Sequence, residues 1–303
     1  MIQDLRFGVI IVQNSAWDEM VTRWKSVETL GFDSVWLADH FVDPFDPHSG
    51  WFECWTLLAA LATHTSHIRI GTLVTSIPLR NPAVLARQAL TVDHISNGRL
   101  ELGLGTGISG KEDPSYTMTS IDDWPVSERV GRFREQVEVI DQLLRNRVSS
   151  YHGRYYQLRD AAMVPAPIQQ PRPPITIAAM SSSMLKIAAR HADTWNSVEA
   201  SPDATPEVVV EKTRMRAALL DRYCAEIGRD PETIRRSLLV FWPEAETVFE
   251  SEENFREVVK RYVGIGITEL IFYYPSFRSD QMPTFERIAK QVIPEIRATG
   301  AHC

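Results

Sequence analysis

Short apolar runs rich in β-branched residues alternate along the chain with longer segments that carry apolar residues at helical spacing. The first run, 7–12, reads FGVIIV and suits a strand that is covered on both faces. The next segment, 17–30, has the apolar spacing of an amphipathic helix, and Gly31 provides a stop. One strand–helix unit is therefore complete by residue 31.

The same alternation continues and predicts eight strands, each followed by a helix. The predicted strands are 7–12, 34–38, 68–74, 100–105, 175–178, 194–198, 237–241 and 269–273. The predicted helices are 17–30, 52–65, 84–95, 128–144, 184–191, 206–227, 253–263 and 285–296. Alternating strands and helices indicate a parallel sheet with crossover helices, and eight units exceed most open sheets. The sequence therefore predicts an α/β fold, a (β/α)8 TIM barrel, as one domain over 1–303.

Two segments interrupt the alternation, one after the fourth strand and one before the fifth. The first, 106–126, is a long irregular loop, and such loops are usually functional, so we expect a lid over the barrel mouth. The second, 146–174, ends in a proline-rich stretch and predicts a small hairpin followed by an extended strap. The prolines mark no domain boundary, because the alternation resumes after them.

Composition and charge narrow the classes of partner. The chain has 303 residues, 44% of them hydrophobic, and a formal net charge of −7. This charge gives no electrostatic footprint for a nucleic acid or an anionic membrane. No signal segment or membrane-spanning apolar run is visible, so we expect a cytoplasmic protein with neither partner.

Cysteine and histidine positions argue against disulfides and metals. Cys54, Cys224 and Cys303 are far apart and odd in number, so we expect free thiols, with Cys54 in the core. The histidines form no ligand pair with a matching carboxylate, and we assign no metal. A serine nucleophile elbow is also missing.

Asp39 and His40 directly follow the second strand. In this fold the loops after the strands form the active-site face, so the pair would direct a titratable imidazole into the pocket. In the other interpretation, Asp39 is a strand-end carboxylate that caps a loop, and His40 is solvated. Spacing alone does not decide between them.

Three further features suggest a ligand. Glycines at 103, 105 and 107 end the fourth strand and permit a flat or phosphorylated ligand to approach the backbone. Segment 178–183 precedes a helix, where serines either hold a phosphate or simply cap the helix. Phe45 and Trp51, in a loop, could line a site for a planar ring, whereas Trp55 is expected in the core.

Several motifs, in order, resemble the luciferase-like flavin-dependent oxidoreductases. They are LGFDSVWLADHF at 30–41, IRIGTLVT at 68–75, RNPA at 80–83, DHISNGRLELGLG at 93–105 and AARHADTWN at 188–196. The resemblance covers most of residues 7–200 and is nearest to the branch that uses coenzyme F420. It implies a barrel, dimeric in the family, that binds F420 or reduced FMN at its C-terminal face.

The resemblance also implies positions for the site. The cofactor ring would lie over a bulge at the end of the third strand, with a non-proline cis peptide at Leu73-Val74. Asp39 and His40 would be the catalytic pair, with Asp39 also contacting the ring. The other implied cofactor contacts are Thr106, Gly107, Ala178, Ala179, Met180 and Ser181.

One position departs from the family pattern. In sugar-phosphate dehydrogenases of the F420 branch a catalytic glutamate follows Gly-Thr-Gly, whereas this chain has Ile108. That activity is therefore in doubt, and His40 is left to act largely alone. Glu112 and Asp113 are the available substitutes, although loop carboxylates are usually solvated.

These observations together predict an oxidoreductase that transfers a hydride between a flavin-type cofactor and a small organic substrate. The Asp-His pair and the Gly-Thr-Gly turn favour F420 over FMN. An FMN-dependent luciferase-like monooxygenase is the first alternative. A flavin-binding barrel without turnover is the second.

Overall fold

The computed structural model describes residues 5–108, 113–201 and 203–299. Its strands are β1 (Arg6–Ile10), β2 (Ser34–Leu37), β3 (Arg69–Thr72), β4 (Thr75–Ser76), β5 (Leu100–Gly105), β6 (Val148–His152), β7 (Gln157–Ala162), β8 (Ile175–Ala178), β9 (Thr194–Ser197), β10 (Arg235–Leu239) and β11 (Glu269–Tyr273). Its α-helices are α1 (Trp17–Thr29), α2 (Cys54–Ala62), α3 (Pro82–Ile95), α4 (Ser115–Thr119), α5 (Val126–Arg145), α6 (Ser182–His191), α7 (Pro206–Glu226), α8 (Glu244–Thr247), α9 (Glu252–Val263), α10 (Met282–Arg287) and α11 (Ile293–Thr299).

The strand order confirms the predicted fold class. Within the described residues the main sheet runs β3-β2-β1-β11-β10-β9-β8-β5-β4, and β3 also pairs with β5. That last pairing returns the sheet to its starting strand, as a closed (β/α)8 barrel requires. β4 continues β3 beyond a two-residue interruption, so the barrel has eight strand positions.

The contacts divide the chain into two compact units. The first contains β1, most of β2 and the described residues from 178 onward, and its core is rich in phenylalanine. Phe249 lies 4.9 Å from Phe285, and Phe255 lies 5.3 Å from Phe272, between ring centroids. All four side chains are buried, and three of them lie in helices or strands whose apolar periodicity predicts burial.

The second unit contains 13–24 and 37–177. Helix α2 is apolar on most of its surface, and Cys54 and Trp55 are buried as predicted. Cys54 and Cys224 are both free thiols, and Cys303 lies outside the described residues. Among the described residues, no helix has the length and apolar character needed to span a bilayer.

The segment before the fifth barrel strand forms the predicted hairpin and strap. β6 and β7 pair antiparallel as a separate two-stranded sheet. The strap is fastened to α3 by Asp93, a fully buried carboxylate that accepts the backbone N–H of Ile168 at 2.7 Å and of Gln169 at 3.1 Å. A buried carboxylate satisfied in this way stabilises an otherwise irregular segment.

Candidate active site

The carboxylate of Asp39, in the loop after β2, is buried and forms hydrogen bonds with two other groups of the protein. Its Oδ2 accepts the backbone N–H of Ser76 at 3.0 Å. It is also paired with Arg80, whose Nη2 lies 3.0 Å from Oδ1. Asp39 therefore fastens the end of β4, and Arg80 after it, to the loop after β2. Its contact with the cofactor remains a prediction.

Arg80 extends this network to the start of α2. Its Nη2 lies 3.0 Å from Oε1 of Glu53, and Glu53 caps α2 by accepting the N–H groups of Trp55 and Thr56. Burial lowers the pKa of the Arg80 guanidinium, but the interaction with Asp39 outweighs burial, so that pKa is raised. Arg80 therefore joins both ends of the loop between β2 and α2, where Asp39 is buried and Glu53 is exposed, to the segment that follows β4.

His40 points its Nδ1 at a carboxylate from the loop after β5. Nδ1 lies 3.0 Å from Oδ2 of Asp113, and Asp113 also accepts the N–H of Ser115 at 2.9 Å. Asp113 is only 5% exposed. The expectation of a solvated loop carboxylate is therefore wrong for Asp113, whereas the expectation that His40 acts largely alone remains a prediction. The alternative residue, Glu112, lies outside the described residues.

This contact fixes the protonation pattern of the imidazole. Burial raises the pKa of Asp113, but hydrogen bonds from His40 and Ser115 outweigh burial and hold that pKa below its usual range. A carboxylate can only accept a hydrogen bond, so Nδ1 of His40 carries the proton. Nε2, which has no hydrogen-bond partner among the described residues, is then an acceptor when the ring is neutral.

Backbone and side-chain contacts hold the loop that carries His40. Trp51 donates its indole N–H to the His40 carbonyl at 2.9 Å, and its ring lies edge-on to the imidazole at 6.3 Å. Asp43, which is buried, accepts the N–H of Phe45 at 2.9 Å. Of the two predicted lining aromatics, Trp51 thus contacts His40, whereas Phe45 is 80% exposed.

The end of β3 has the irregularity that the family resemblance implies. The peptide bond between Leu73 and Val74 is cis, which confirms that prediction. On either side of it, Thr72 and Thr75 share a hydrogen bond of 2.8 Å between hydroxyls. Trp55 donates its indole N–H to Thr75 at 3.1 Å, so α2 supports the backbone at this point.

Gly107 has a conformation and a setting that exclude a side chain. Its φ is +74°, and a Cβ built there would lie 2.5 Å from Oγ of Ser76. The next residue, Ile108, is held by its carbonyl, which accepts from the Tyr116 hydroxyl at 3.2 Å and from Arg129 at 2.6 Å. Glycine is therefore required where the chain leaves β5.

Segment 178–183, the predicted phosphate site at the end of β8, already uses some of its hydrogen-bonding groups within the protein. Ala179 is fully buried, and its N–H donates to the Asn196 carbonyl at 3.1 Å. Ser181 caps α6 by accepting the N–H of Met184. The capping interpretation thus holds for Ser181, and Met180 is exposed. A contact of this segment with the cofactor remains a prediction.

Several polar groups of the second unit suit a flat polar ring. Within the part of the chain that the structure describes, no three His, Cys, Asp or Glu side chains come together as metal ligands would. Gln13 is fully buried and donates to the carbonyls of Ala38 and Phe52, while its Oε1 has no partner among the described residues. An orphaned acceptor, a free imidazole nitrogen and a glycine that excludes a side chain fit a bound polar ring.

Sequence reasoning identified some of these residues and missed others. The residues of the candidate site that it missed are Gln13, Glu53 and Arg80. Arg80 was visible only as part of the RNPA motif, and a lone cation before a helix gives no sign of its buried partner. Gln13, just after β1, could have been found by inspecting every strand end for a polar side chain.

Comparisons with known proteins identify the family of this chain. The family model described as luciferase-like monooxygenase matches residues 5–292. An F420-dependent glucose-6-phosphate dehydrogenase of Amycolatopsis mediterranei is 27% identical, covering 90% of this chain and 92% of the relative. The oxygenase component of a flavin-dependent trigonelline monooxygenase from Acinetobacter baylyi is 26% identical, covering 95% of this chain and 81% of the relative.

A solved structure supports the same fold. An F420-dependent secondary alcohol dehydrogenase in complex with an F420-acetone adduct matches with a TM-score of 0.78 at 19% identity, covering 95% of this chain and 99% of that one. The relatives are oxidoreductases that use a flavin-type cofactor, which favours the enzyme over the binding barrel without turnover. The chain therefore belongs to the luciferase-like monooxygenase family, and it is an oxidoreductase of that class with a small-molecule substrate.

Proposed function

We propose that this chain uses coenzyme F420 to interconvert an alcohol and a carbonyl compound, with His40 exchanging the proton. The observation that carries the proposal is the arrangement of His40. Its Nδ1 is held by Asp113 at 3.0 Å, and its Nε2 is free of partners among the described residues. An imidazole fixed at one nitrogen and open at the other is the usual arrangement of a general acid–base.

The proposed reaction couples one proton to one hydride. When bound, the F420 ring supplies a carbon that accepts or donates the hydride. In the oxidation direction, Nε2 of His40 accepts the hydroxyl proton of the substrate. The hydrogen on the carbinol carbon leaves with its electron pair, and the C–O single bond becomes a carbonyl. In the reverse direction, protonated His40 returns the proton to the oxygen.

The chain's other residues position this exchange. Asp113 keeps the proton of neutral His40 on Nδ1, and Asp39 fastens Ser76 and Arg80, which follow the Leu73-Val74 bond, to the loop after β2. Thr106, Gly107 and the segment from Ala178 to Ser181 are the proposed remaining cofactor contacts. The absence of a glutamate at Ile108 separates this chain from the sugar-phosphate pattern, so we do not propose glucose 6-phosphate as its substrate.

F420 is preferred to FMN because the matches include F420-dependent dehydrogenases at 26–28% identity over most of the chain. The second candidate is an FMN-dependent monooxygenase, which the 26% identical trigonelline enzyme favours. In that case reduced flavin would supply oxygen activation, and His40 would hydrogen-bond the substrate.

Cofactor titration tests the two candidates. Purified protein is titrated with F420, and anaerobically with reduced FMN, by fluorescence and absorbance. We expect F420 to bind at least about tenfold more tightly, which is about 1.4 kcal/mol. Tighter binding of reduced FMN, together with substrate-dependent oxygen consumption, would replace the proposal with the monooxygenase.

Replacement of His40 tests its role once an alcohol that reduces F420 has been found by screening. His40→Ala should lower kcat by about 10²–10⁴ while F420 affinity stays within about threefold. His48→Ala, an exposed histidine of the same loop, is the matched control and should have wild-type turnover. Unchanged turnover in His40→Ala would remove His40 from the chemistry.

We further propose a homodimer, on the basis of the family resemblance, and a cytoplasmic location. Light scattering on the purified chain should give about twice the mass of 34.4 kDa. A monomer at micromolar concentration would contradict the dimer without affecting the proposed reaction.

A further inference from the structure

Four aromatic rings gather where β10 and β11 end. Phe241 and Trp242 follow β10, Tyr273 ends β11, and Phe277 lies in the loop after it. The centroid of Trp242 lies 4.5 Å from Tyr273, 5.2 Å from Phe241 and 6.0 Å from Phe277. The rings meet at tilted or edge-on angles, which are favourable for aromatic pairs. We call these four residues the aromatic cluster.

The aromatic cluster is open to solvent. Phe277 is 57% exposed, and the other three residues are half-buried. A group of partly exposed rings packed on one another marks a binding surface more often than a scattered apolar residue does. The Tyr273 hydroxyl has no hydrogen-bond partner among the described residues, and burial raises the pKa of this phenol, so it remains a donor at neutral pH.

The aromatic cluster lies at a position in the fold where ligands commonly bind. In (β/α)8 barrels the active-site face is built from the loops after the strands, and the loops after the seventh and eighth strands frequently bind a phosphate. β10 and β11 are the seventh and eighth barrel strands of this chain. The same loops here carry aromatic rings, so their ligand should differ in chemistry from a phosphate.

The charges in the loops after β10 and β11 also argue against a phosphate as their ligand. Residues 240–251 contain no lysine or arginine. Residues 274–281 contain one arginine, Arg278, which is paired with Asp280 at 3.1 Å and lies 3.5 Å from Glu250. A phosphate is usually held by unpaired cations or free N–H groups. The two loops, all of whose residues are described, therefore present no cation that is free for an anion.

We infer that the aromatic cluster binds an uncharged aromatic ring of the substrate. The inference rests on the proposed function, because the ring belongs to the molecule that gives or takes the hydride. Trp242 and Phe277 present apolar faces and edges to such a ring, and Tyr273 donates a hydrogen bond to a polar atom beside it. A phosphorylated sugar would meet apolar surface where it needs positive charge.

Direct binding tests the inference without cofactor or turnover. The probes are 1-(2-naphthyl)ethanol, an uncharged aromatic alcohol, glucose 6-phosphate, and benzyltrimethylammonium, a cation that would prefer an aromatic cage. Isothermal titration should detect the naphthyl alcohol alone. Trp242→Ala and Phe277→Ala should each weaken its binding at least about fivefold. Trp17→Ala, which removes a partly exposed tryptophan of α1, is the control and should bind like the wild type.

Each other outcome overturns the inference. No binding of the naphthyl alcohol at millimolar concentration, or unchanged binding in both cluster variants, would exclude the aromatic cluster as its site. Tighter binding of glucose 6-phosphate or of the ammonium probe would assign the loops to an anion or a cation instead. Because Phe277 is exposed, Phe277→Ala keeps the test valid if Trp242→Ala fails to fold. Loss of F420 binding in the separate titration would affect only the proposed reaction.

Discussion

Nδ1 of His40 lies 3.0 Å from Oδ2 of Asp113, although 73 residues separate the two along the chain. The contact joins the loop after β2 to the loop after β5, and Asp113 is buried where it occurs. A buried carboxylate that accepts from an imidazole determines which ring nitrogen is left for chemistry. The pair is therefore the part of the site that most directly links geometry to a proton-transfer role.

Asp113→Asn should impair turnover without removing the cofactor site. The amide of asparagine can donate to Nδ1, and this favours the tautomer that has its proton on Nε2, the wrong form for accepting a substrate proton. We expect kcat to fall about 10–100-fold, with F420 affinity within about twofold. Stopped-flow reduction of F420 by the screened alcohol measures both, across pH 5–9.

The matched control is Asp122→Asn, an exposed aspartate of the same loop, which should keep wild-type rates. A purely structural role for Asp113 would lower kcat by the same factor at every pH and would not alter the shape of the pH profile. Asp113→Glu, which preserves the carboxylate, should recover part of the rate. Equal loss in both variants would argue against orientation of His40.

The alternation of strands and helices was sufficient to predict the barrel. Continuous apolar runs such as 7–12 are typical of strands that are buried on both faces of a parallel sheet, and β1 is such a strand. The cis bond at Leu73-Val74 came from family motifs, since no local pattern of apolar residues announces it. Chain order and periodicity thus fix the elements, and motifs fix the backbone irregularity.

The side-chain partners of the site could not be read from the sequence. Arg80 and Asp39 are 41 residues apart, and their pairing depends on how β3 and β4 place the segment that follows them. Asp113 follows a loop whose course has no periodic signal. The aromatic cluster is likewise formed by residues from two strand ends, and neither Trp242 nor Tyr273 has a spacing that reveals the other.

The ion pair of Asp39 and Arg80 should contribute strongly to stability. Arg80→Met leaves the Asp39 carboxylate buried without its cation, so the free energy of unfolding should fall by about 3–5 kcal/mol. The double variant Asp39→Asn with Arg80→Met removes the stranded charge and should recover at least about 1 kcal/mol of that loss. Urea unfolding followed by circular dichroism gives these values.

Lys290→Met provides the exposed comparison, because Lys290 and Glu286 form a solvent-exposed pair at 3.5 Å. That change should alter the free energy of unfolding by no more than about 0.5 kcal/mol. If Arg80→Met were as mild as Lys290→Met, the buried network would not be the support that holds the residues after β4.

Gly107→Ala should be destabilising for two separable reasons. The φ of +74° costs an alanine about 1–2 kcal/mol, and the new Cβ would lie 2.5 Å from Oγ of Ser76. Gly31→Ala has a similar φ of +83° but no atom within 4 Å of its Cβ, so it measures the conformational cost alone. Thermal unfolding should rank Gly107→Ala below Gly31→Ala, and equal effects would mean that the Ser76 contact relaxes freely.

Asp141 should make the stability of the strap depend on pH. It accepts from Nε of Arg172 at 2.5 Å and of Arg145 at 2.8 Å. Burial raises its pKa, but these two arginines outweigh burial and lower it below the value in the unfolded chain, about 4. A carboxyl with a lowered folded pKa stabilises the protein above the unfolded pKa, and this stabilisation is lost as the pH falls through the folded pKa.

Asp141→Asn should therefore reduce the free energy of unfolding at pH 7, and the difference from the wild type should shrink below about pH 4. Urea unfolding at pH 7, 5, 4 and 3 measures this difference directly. Asp122→Asn, at an exposed position, should show no such trend. A gap between wild type and Asp141→Asn that is as wide at pH 3 as at pH 7 would mean that packing of Arg172, and not the ionised carboxylate, holds the strap. The pH series thus distinguishes an electrostatic fastening of the strap from a steric one.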